Sequence, residues 1–390
     1  MRDSFGQTVV PDEAIRAGAP WLSGRGAAPD VVISSRVRLA RNIVGFPFPP
    51  RCSSAQRAEL LSTCRRCVSE APAPFAPARV AWADIHALPA LERQLLLERH
   101  LISREHAAVR KEAGTGTGGA GTSAAAAPPS STSMVRGLAF TLPDEALSIM
   151  VNEEDHLRIQ VLRPGLQLAE CWRQINEVDS ALENGLDFAF HDRFGYLTTC
   201  PTNAGSGVRM SVMLHLPALR LCGEIDKVRR ATKDMCLAVR GFYGEGSDHA
   251  GDLFQISNQT TMGKPEETIL SDIESEVIPR VIEYEQAARA QLAQRRRRHL
   301  EDAVFRALGL LQSARLLAPE ETISHLSLVR LGVLTGLVGG LDEQAVSQLF
   351  LLSQPAHLQR FVGRPLDQQQ RREARADLVR ERLARGGASA

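Results

Sequence analysis

The sequence predicts an α+β fold, a sheet decorated with helices over residues 31–287 followed by an all-helical domain over residues 288–390. Three observations carry this reading. Short apolar or alternating runs dominate from about residue 31 to 260, among them DVVISSRV, GLAFTL, LSIMVNEE, HLRIQVL, DFAF and YLTTC, and they read as strands. Stretches with capping signals or 3.6-residue periodicity lie between and around them without strict alternation, which separates α+β from α/β. From about residue 266 the pattern becomes continuous. Ile, Val and Leu recur at three- and four-residue steps through EETILSDIESEVIPRVIEYEQAARAQLAQRRRRHLEDAVFRALGLLQSA, and long helices are expected.

In chain order, residues 1–30 read as an N-terminal extension. Four helical stretches accompany the strands: SSAQRAELLSTCRRCVSEA, LPALERQLLLERHLIS, QLAECWRQINEVDSALEN and SVMLHLPALRLCGEIDKVRRATKDMCLAV. Between the second and the strand GLAFTL lies GTGTGGAGTSAAAAPPSSTS, residues 114–133, too poor in large apolar side chains to pack and expected to be a disordered insertion in a surface loop. The chain divides near residue 287. The helices beyond it offer a packing surface for a homodimer.

Composition narrows the function classes. The 390 residues suffice for two or three domains, and a hydrophobic content of 44% is ample for a core. A net charge of +1 with 23% charged residues gives no global reason to expect nucleic acid or an acidic membrane as partner, so any electrostatic function is local. MRDSFGQTVVPDEAI lacks the apolar core of a signal peptide, and LSLVRLGVLTGLVGGL is too short to span a bilayer and carries Arg330. A cytoplasmic protein is expected, and its seven cysteines read as reduced thiols.

Several patterns are decoys. Gly114-x-Gly116-x-x-Gly119 matches a dinucleotide-binding fingerprint in form but lacks the preceding strand, the following helix and the ribose-binding acid. Cys64-x-x-Cys67 lies in a helical pattern with no second pair at ligand spacing, so no metal site is expected. Arg295 to Arg298 is flanked by acids without interleaved aromatics and reads as a solvated helix face or linker.

Chemistry concentrates in four segments: SSRVRLARN (34–42), NEEDHLRIQ (152–160), CPTNAGSGVRMSVML (200–214) and RGFYGEGSDHAGDLFQISNQ (240–259). Each delivers arginine at a strand end, giving Arg36, Arg38, Arg158, Arg209 and Arg240. A lone arginine reads as a surface ion pair. Four motifs together suit a triphosphate, because guanidinium groups are permanently charged and fork two donors onto phosphate oxygens. Glu154 and Glu245 come from separate segments and could hold a planar guanidinium between them while accepting its proton. Metal binding or charge balance against the arginines is the other reading of these acids.

SSRVRLARN, NEEDHLRIQ, CPTNAGSGVRMSVMLHLPAL and RGFYGEGSDHAGDLFQISNQTTMGK, in this order over about 220 residues, resemble the signature segments of the ATP:guanidino phosphotransferases, the phosphagen kinase family. More narrowly, the chain resembles the bacterial protein arginine kinases of the McsB type. PWLSGRGAAPDVVISSRVRLARN and LERQLLLERHLIS look like that branch, SSRVR begins at residue 34 where small-molecule phosphagen kinases carry a helical domain ahead of it, and a helical domain replaces their usual ending. The resemblance implies an α+β catalytic domain with an antiparallel sheet, using ATP and Mg2+. It implies nucleotide contacts from Ser34, Ser35, Arg36, Val37, Arg38, Arg158, Arg209, Met210, Ser211, Val212, Met213, Arg240, Gly241, Phe242, Tyr243 and Gly244, with His100 near the adenine or ribose. Glu154 is expected as base and Glu245 as its orienting partner, with Cys200 as the family's reactive cysteine beside the guanidinium or else a small buried hydrophobe.

The same resemblance implies phosphoarginine on proteins, a stress-response mark read by a Clp ATPase and protease, and a small zinc-binding activator protein as companion. It also implies a C-terminal phosphoarginine pocket of the form Arg-Asp-x-x-Arg-Ala. Here the stretch is Arg371-Arg372-Glu373-Ala374-Arg375-Ala376, so Arg371 and Arg375 remain to grip phosphate while arginine replaces the acid. Three readings stay open on the residues: a protein arginine kinase, a kinase of free arginine or a similar small guanidine, and a catalytically silent adaptor that binds phosphoarginine or nucleotide.

Overall fold

The computed structural model describes residues 8–71, 75–108, 135–241 and 250–386. Its frame is an eight-stranded sheet with spatial order β2-β3-β4-β5-β1-β8-β10-β9. The strands are β1 (Val32–Arg41), β2 (Arg79–Asp84), β3 (Gly137–Leu142), β4 (Leu147–Val151), β5 (Leu157–Pro164), β8 (Val208–His215), β9 (Leu237–Gly241) and β10 (Leu253–Asn258), and every pairing is antiparallel. A separate hairpin joins β6 (Phe190–His191) to β7 (Gly195–Tyr196).

Strand alternation sends successive side chains to opposite faces. On the back face Val37, Leu39, Ile159, Val161, Met210 and Val212 form one core with helix α5 (Leu168–Glu183). That helix forms because Leu168, Cys171, Ile175, Val178 and Leu182 recur at helical spacing and bury one stripe. Helix α2 (Ser54–Glu70) enters through a capping box between Ser53 and Gln56 and buries Cys64 and Cys67 in the same core. The Cys-x-x-Cys pair is therefore packing, and all seven cysteines are free thiols.

The front face is divided into three zones. At the β2–β3–β4 side, Leu138, Phe140 and Met150 pack under helix α3 (Ala90–Glu98) together with Val10 and Ile15 of the N-terminal segment. At the other end of the central strands, Leu162, Met213 and Leu253 pack with Trp21 under the C-terminal helices. Between these zones the arginine-bearing positions are open.

The C-terminal region consists of α9 (Ile278–Arg295), α10 (Arg297–Ser313), α11 (Pro319–Leu334), α12 (Glu343–Leu352), α13 (Pro355–Val362) and α14 (Gln368–Gly386). Helix α9 runs unbroken through residue 287, and its Ala288 and Leu292 belong to the same core as the back of the sheet. The helical break comes at Arg296, which places the exposed run Arg295 to Arg298 at the α9–α10 junction. Arg330 on α11 is buried, bonded to Glu343, Ser347, His215 and the carbonyls of Pro29 and Asp30. No helix among the described residues is long and apolar enough to cross a membrane.

The segment SVMLHLPALRLCGEIDKVRRATKDMCLAV departs from the helical expectation. It contains strand β8, two short helices, α6 (Pro217–Leu221) and α7 (Ile225–Asp234), and the start of β9. Strand β8 lies between β1 and β10, and its second half, Val212 to Leu214, is buried on both faces, so this apolar run carries no period-2 signature. DFAF and YLTTC contribute only two-residue strands, while RVAWAD, LAVRG and LFQISN supply sheet strands that the run pattern did not single out. The 114–133 insertion lies outside the described residues.

Candidate active site

Five neighbouring strands, β5-β1-β8-β10-β9, bring the arginines to one face. Arg38 pairs directly with Arg209 on one side and Gln160 on the other, Arg158 pairs with Ala40, Arg36 with Ser211, and Gln255 with Arg240. Together they floor a cleft of about 490 Å³ that is also lined by His100, Glu153, Glu154, Cys200 and Asn203. Its size is ordinary for a small-ligand site.

The charge on this floor is concentrated. Burial, reinforced by Arg158 and Arg209, lowers the Arg36 guanidinium to about 10. Arg38 is pushed well below its ordinary value by burial and by Arg36, Arg158 and Arg209, with Glu153 acting in the opposite sense. The arginines' own share in these shifts, second to burial, records positive charge gathered on one floor, which suits a polyanion. Arg36 Nη2 donates to Gln255 Oε1 at 3.0 Å, which fixes its fork across β8. His100 is held neutral, lowered to about 3 by burial first and Arg36 second. Its backbone sits at φ 60°, its carbonyl accepts from Gln160 Nε2 at 2.5 Å, and its ring meets Trp21 edge-on at 4.8 Å.

The acids of NEEDH have three different tasks, set by a tight turn between β4 and β5 in which Asn152 takes φ 62°. Glu153 is buried and accepts from Ser103 Oγ at 2.5 Å and Arg158 Nη1 at 2.7 Å. Burial alone would raise its carboxyl, but Arg158, Ser103 and the Glu154 amide outweigh it and hold the group below the ordinary range. Glu154 faces the cleft, 3.5 Å from both Arg158 Nη2 and Asn203 Nδ2. Its carboxyl is raised, by burial first and by Asp155, Glu153 and Glu105 besides, against the pull of Arg158. Asp155 turns away and accepts from Asn42 Nδ2 at 2.7 Å and the Thr199 amide at 2.6 Å, which pins the loop before Cys200.

Cys200 Sγ lies at the cleft wall, 3.0 Å from Thr202 Oγ1. Its loop is tied by Thr261 Oγ1, which donates to the carbonyls of Ala204 and Thr202. Gly205 within it takes φ 102°, and a Cβ there would stand 2.4 Å from the Thr261 carbonyl oxygen, so glycine is required.

The structure thus brings together Arg36, Arg38, His100, Glu154, Arg158, Cys200, Arg209 and Arg240. Alternation keeps other expected nucleotide contacts out of the cleft. Val37, Met210 and Val212 point into the back core, and Ser35 Oγ donates to the Gly165 carbonyl on that side. Ser34, Ser211 and Met213 are buried on the arginine face; Met213 packs under the C-terminal helices, Ser211 Oγ is turned to the Arg36 carbonyl at 3.4 Å, and Gly241 ends β9 without lining the cleft. Phe242, Tyr243, Gly244 and Glu245 lie outside the described residues. Arg41, third arginine of SSRVRLARN, is a back-face residue that clamps Asp179 at 2.7 Å and lies over the Tyr196 ring. Arg375 departs from the expected phosphate grip. Its buried guanidinium donates to the carbonyls of Ser353, Leu317 and Arg371, while Arg371 Nη1 donates to the Leu366 carbonyl. These bonds tie α12, α14 and the approaches to α11 and α14 together from within, and engage the donors that a phosphate would take. Gln255 and Ser103 were not foreseen; a lone glutamine inside the apolar strand LFQISN was the available signal for the first.

Comparison with known proteins agrees with this geometry. Residues 76–288 match the ATP:guanido phosphotransferase C-terminal catalytic domain, and residues 297–389 match the protein-arginine kinase McsB C-terminal domain. The chain is 44% identical over 369 residues to the protein-arginine kinase of Symbiobacterium thermophilum, covering 95% of this chain and 98% of that protein. It is 40% identical over 363 residues to the protein-arginine kinase of Bacillus subtilis, covering 93% of each. Among solved structures, a lombricine kinase superposes with a TM-score of 0.52 at 22% identity, covering 73% of this chain and 74% of that one, a likeness of fold. A duplicated taurocyamine kinase from Schistosoma mansoni gives a TM-score of 0.52 at 24% identity over 69% of this chain and 34% of that one. Five arginines on contiguous antiparallel strands, an acid turn beside them and a helical domain of this type place the chain in the protein-arginine kinase family of ATP:guanido phosphotransferases.

Proposed function

We propose that the chain phosphorylates arginine side chains of other proteins, using the γ-phosphoryl group of ATP. The observation that carries this reading is the meeting of Glu154 and Cys200 with the five-arginine floor in one cleft. Arg36, Arg38, Arg158, Arg209 and Arg240 would take the triphosphate, and neutral His100 offers an uncharged edge for the base or sugar. A bound Mg2+ would enter on the phosphates and spread the negative charge of the leaving group; among the described residues no cluster of three or more His, Cys, Asp or Glu forms a cage of its own.

An arginine guanidinium is a poor nucleophile because it holds its protons to above about pH 12. Glu154, carrying a raised carboxyl at the edge of the cationic floor, would orient that group and accept its proton. As the N–P bond forms, the bond from γ-phosphorus to the β–γ bridging oxygen breaks, the proton passes to Glu154 and ADP leaves. Glu245 completes the carboxylate pair in this proposal. Marking of clients for a Clp-type protease under stress, a zinc-binding activator, a cytoplasmic setting and a homodimer through the helical domain belong to the same reading and rest on family membership.

The test is incubation with MgATP and an unfolded protein, followed by mass spectrometry under non-acidic conditions, because the P–N bond is acid-labile. Phosphate on arginine that disappears in Glu154→Ala supports the reading. Phosphorylation of free arginine with none on protein rejects it in favour of a small-molecule kinase, and neither product favours a silent adaptor.

A further inference from the structure

We infer that Glu105 is a specificity-determining residue on the acceptor side of the cleft, where its carboxylate meets a cationic side chain flanking the target arginine and selects basic segments of protein substrates. The inference rests on the kinase reading above and deepens it.

Glu105 lies on helix α4 (Arg104–Ala107), and its side chain is an exposed part of the cleft lining. The helix is tied to the acid turn through one residue: Ser103 Oγ accepts from the His106 amide at 3.0 Å and donates to Glu153 at 2.5 Å. From the other side, buried Arg136 donates through Nη1 to the carbonyls of Glu105, His106 and Ala108, at 2.6, 3.1 and 2.6 Å. His106 Nε2 and the Gly137 carbonyl, 3.0 Å apart, add a further tie to β3. The backbone under Glu105 is therefore fixed while its carboxylate remains in solvent at the rim.

The field of that carboxylate identifies which side of the cleft it serves. It is among the charges that act on Glu154 and on Arg136, whereas the charges acting on Arg36 and Arg38 are the other arginines and Glu153. Two cations stand near it. Arg136 feels its charge but directs Nη1 at three carbonyls, and Arg104 is the neighbouring helical residue, which does not share a face with position 105. A target guanidinium placed against Glu154 leaves Glu105 facing what lies beside the target in the polypeptide. An exposed carboxylate pairing with a flanking Lys or Arg changes affinity by a few-fold, and the effect fades with salt.

The experiment uses the full chain, MgATP and two peptides that carry one arginine flanked on both sides by either lysine or glutamate. The ratio of their kcat/KM values is read from phosphoarginine formation at low salt, so partial misfolding of a variant cancels. The wild type is expected to favour the lysine-flanked peptide by roughly fivefold or more. Glu105→Gln should bring the ratio towards one, Glu105→Lys should invert it, and added salt should shrink the wild-type preference. Glu105→Gln should also shift the acid limb of the pH profile downwards, since one charge raising Glu154 is gone. An unchanged ratio in both variants overturns this inference and leaves the kinase reading standing. Absence of phosphoarginine from both peptides and from unfolded protein overturns the two together.

Discussion

Replacing Glu153 with glutamine keeps the shape of the acid turn and removes one charge from beneath Arg158. The wild-type contact is a charge-assisted hydrogen bond of 2.7 Å between an arginine side chain 18% exposed and a carboxylate 1% exposed. Bonds of this kind contribute about 1.5–3 kcal/mol net. In the variant an amide oxygen still accepts from Arg158, but the only carboxylate left to it is Glu154 at 3.5 Å, and Arg38 loses the carboxylate that offsets its neighbours. A loss of about 2 kcal/mol in placing phosphate corresponds to roughly thirtyfold in kcat/KM for MgATP, at about 1.4 kcal/mol per decade. Steady-state kinetics against ATP concentration measures this, with a thermal melt as control for folding. Acid titration gives a second readout. The native carboxyl lies below its ordinary value of 4.5, so its contribution to stability is present above that pH and is lost as pH falls through the lower native value. Glutamine should flatten this part of the acid unfolding curve. Kinetics within about twofold of wild type in a folded Glu153→Gln protein would refute the idea that this carboxylate positions Arg158.

Glu154→Gln should abolish turnover while ATP still binds in calorimetry, and the wild-type acid limb of kcat/KM should lie above the ordinary glutamate value because the native carboxyl is raised. Arg330→Met leaves Glu343, His215 and two backbone carbonyls without their shared donor, and urea unfolding should show a loss of about 3–5 kcal/mol. Buried His106, His215 and His357, and the half-buried His100, are all held below the ordinary 6.5, by desolvation first in each case. The unfolded chain takes up more protons than the native one below that value, so stability should be full above about pH 6.5 and fall steadily beneath it. A flat melting temperature from pH 7.5 to 5 would contradict that account.

The arginine cluster was legible because strand alternation is a property of sequence: Arg36 and Arg38 had to share a face, and motif order put Arg158, Arg209 and Arg240 on other strand ends. The same rule, applied strictly, would have removed Val37, Met210 and Val212 from the site. The division of labour in NEEDH was not legible. Which of three adjacent carboxylates enters the cleft depends on a turn at Asn152 and on Ser103, fifty residues away. The second half of strand β8 escaped for a related reason, since Val212 to Leu214 are covered on both faces and have the composition of a buried helix. The bonds of Arg375 were not legible either, because phosphate and a row of backbone carbonyls call for the same side chain.

On the arginine face, residues two or four apart on one strand have different neighbours. Gln255 braces Arg36, while Leu253 lies in the core beneath the C-terminal helices; Arg209 and Met213 divide in the same way. The helical region is thus the far half of the floor on which the phosphate site stands. A chain cut at residue 287 would open Leu162, Met213, Leu253 and Trp21 to water along the strands that carry the arginines, so such a fragment is expected to be less stable than the full chain. Any ligand or partner that tilts those helices would reach the phosphate site through strands of fixed length, as a hand on one end of a plank moves the other.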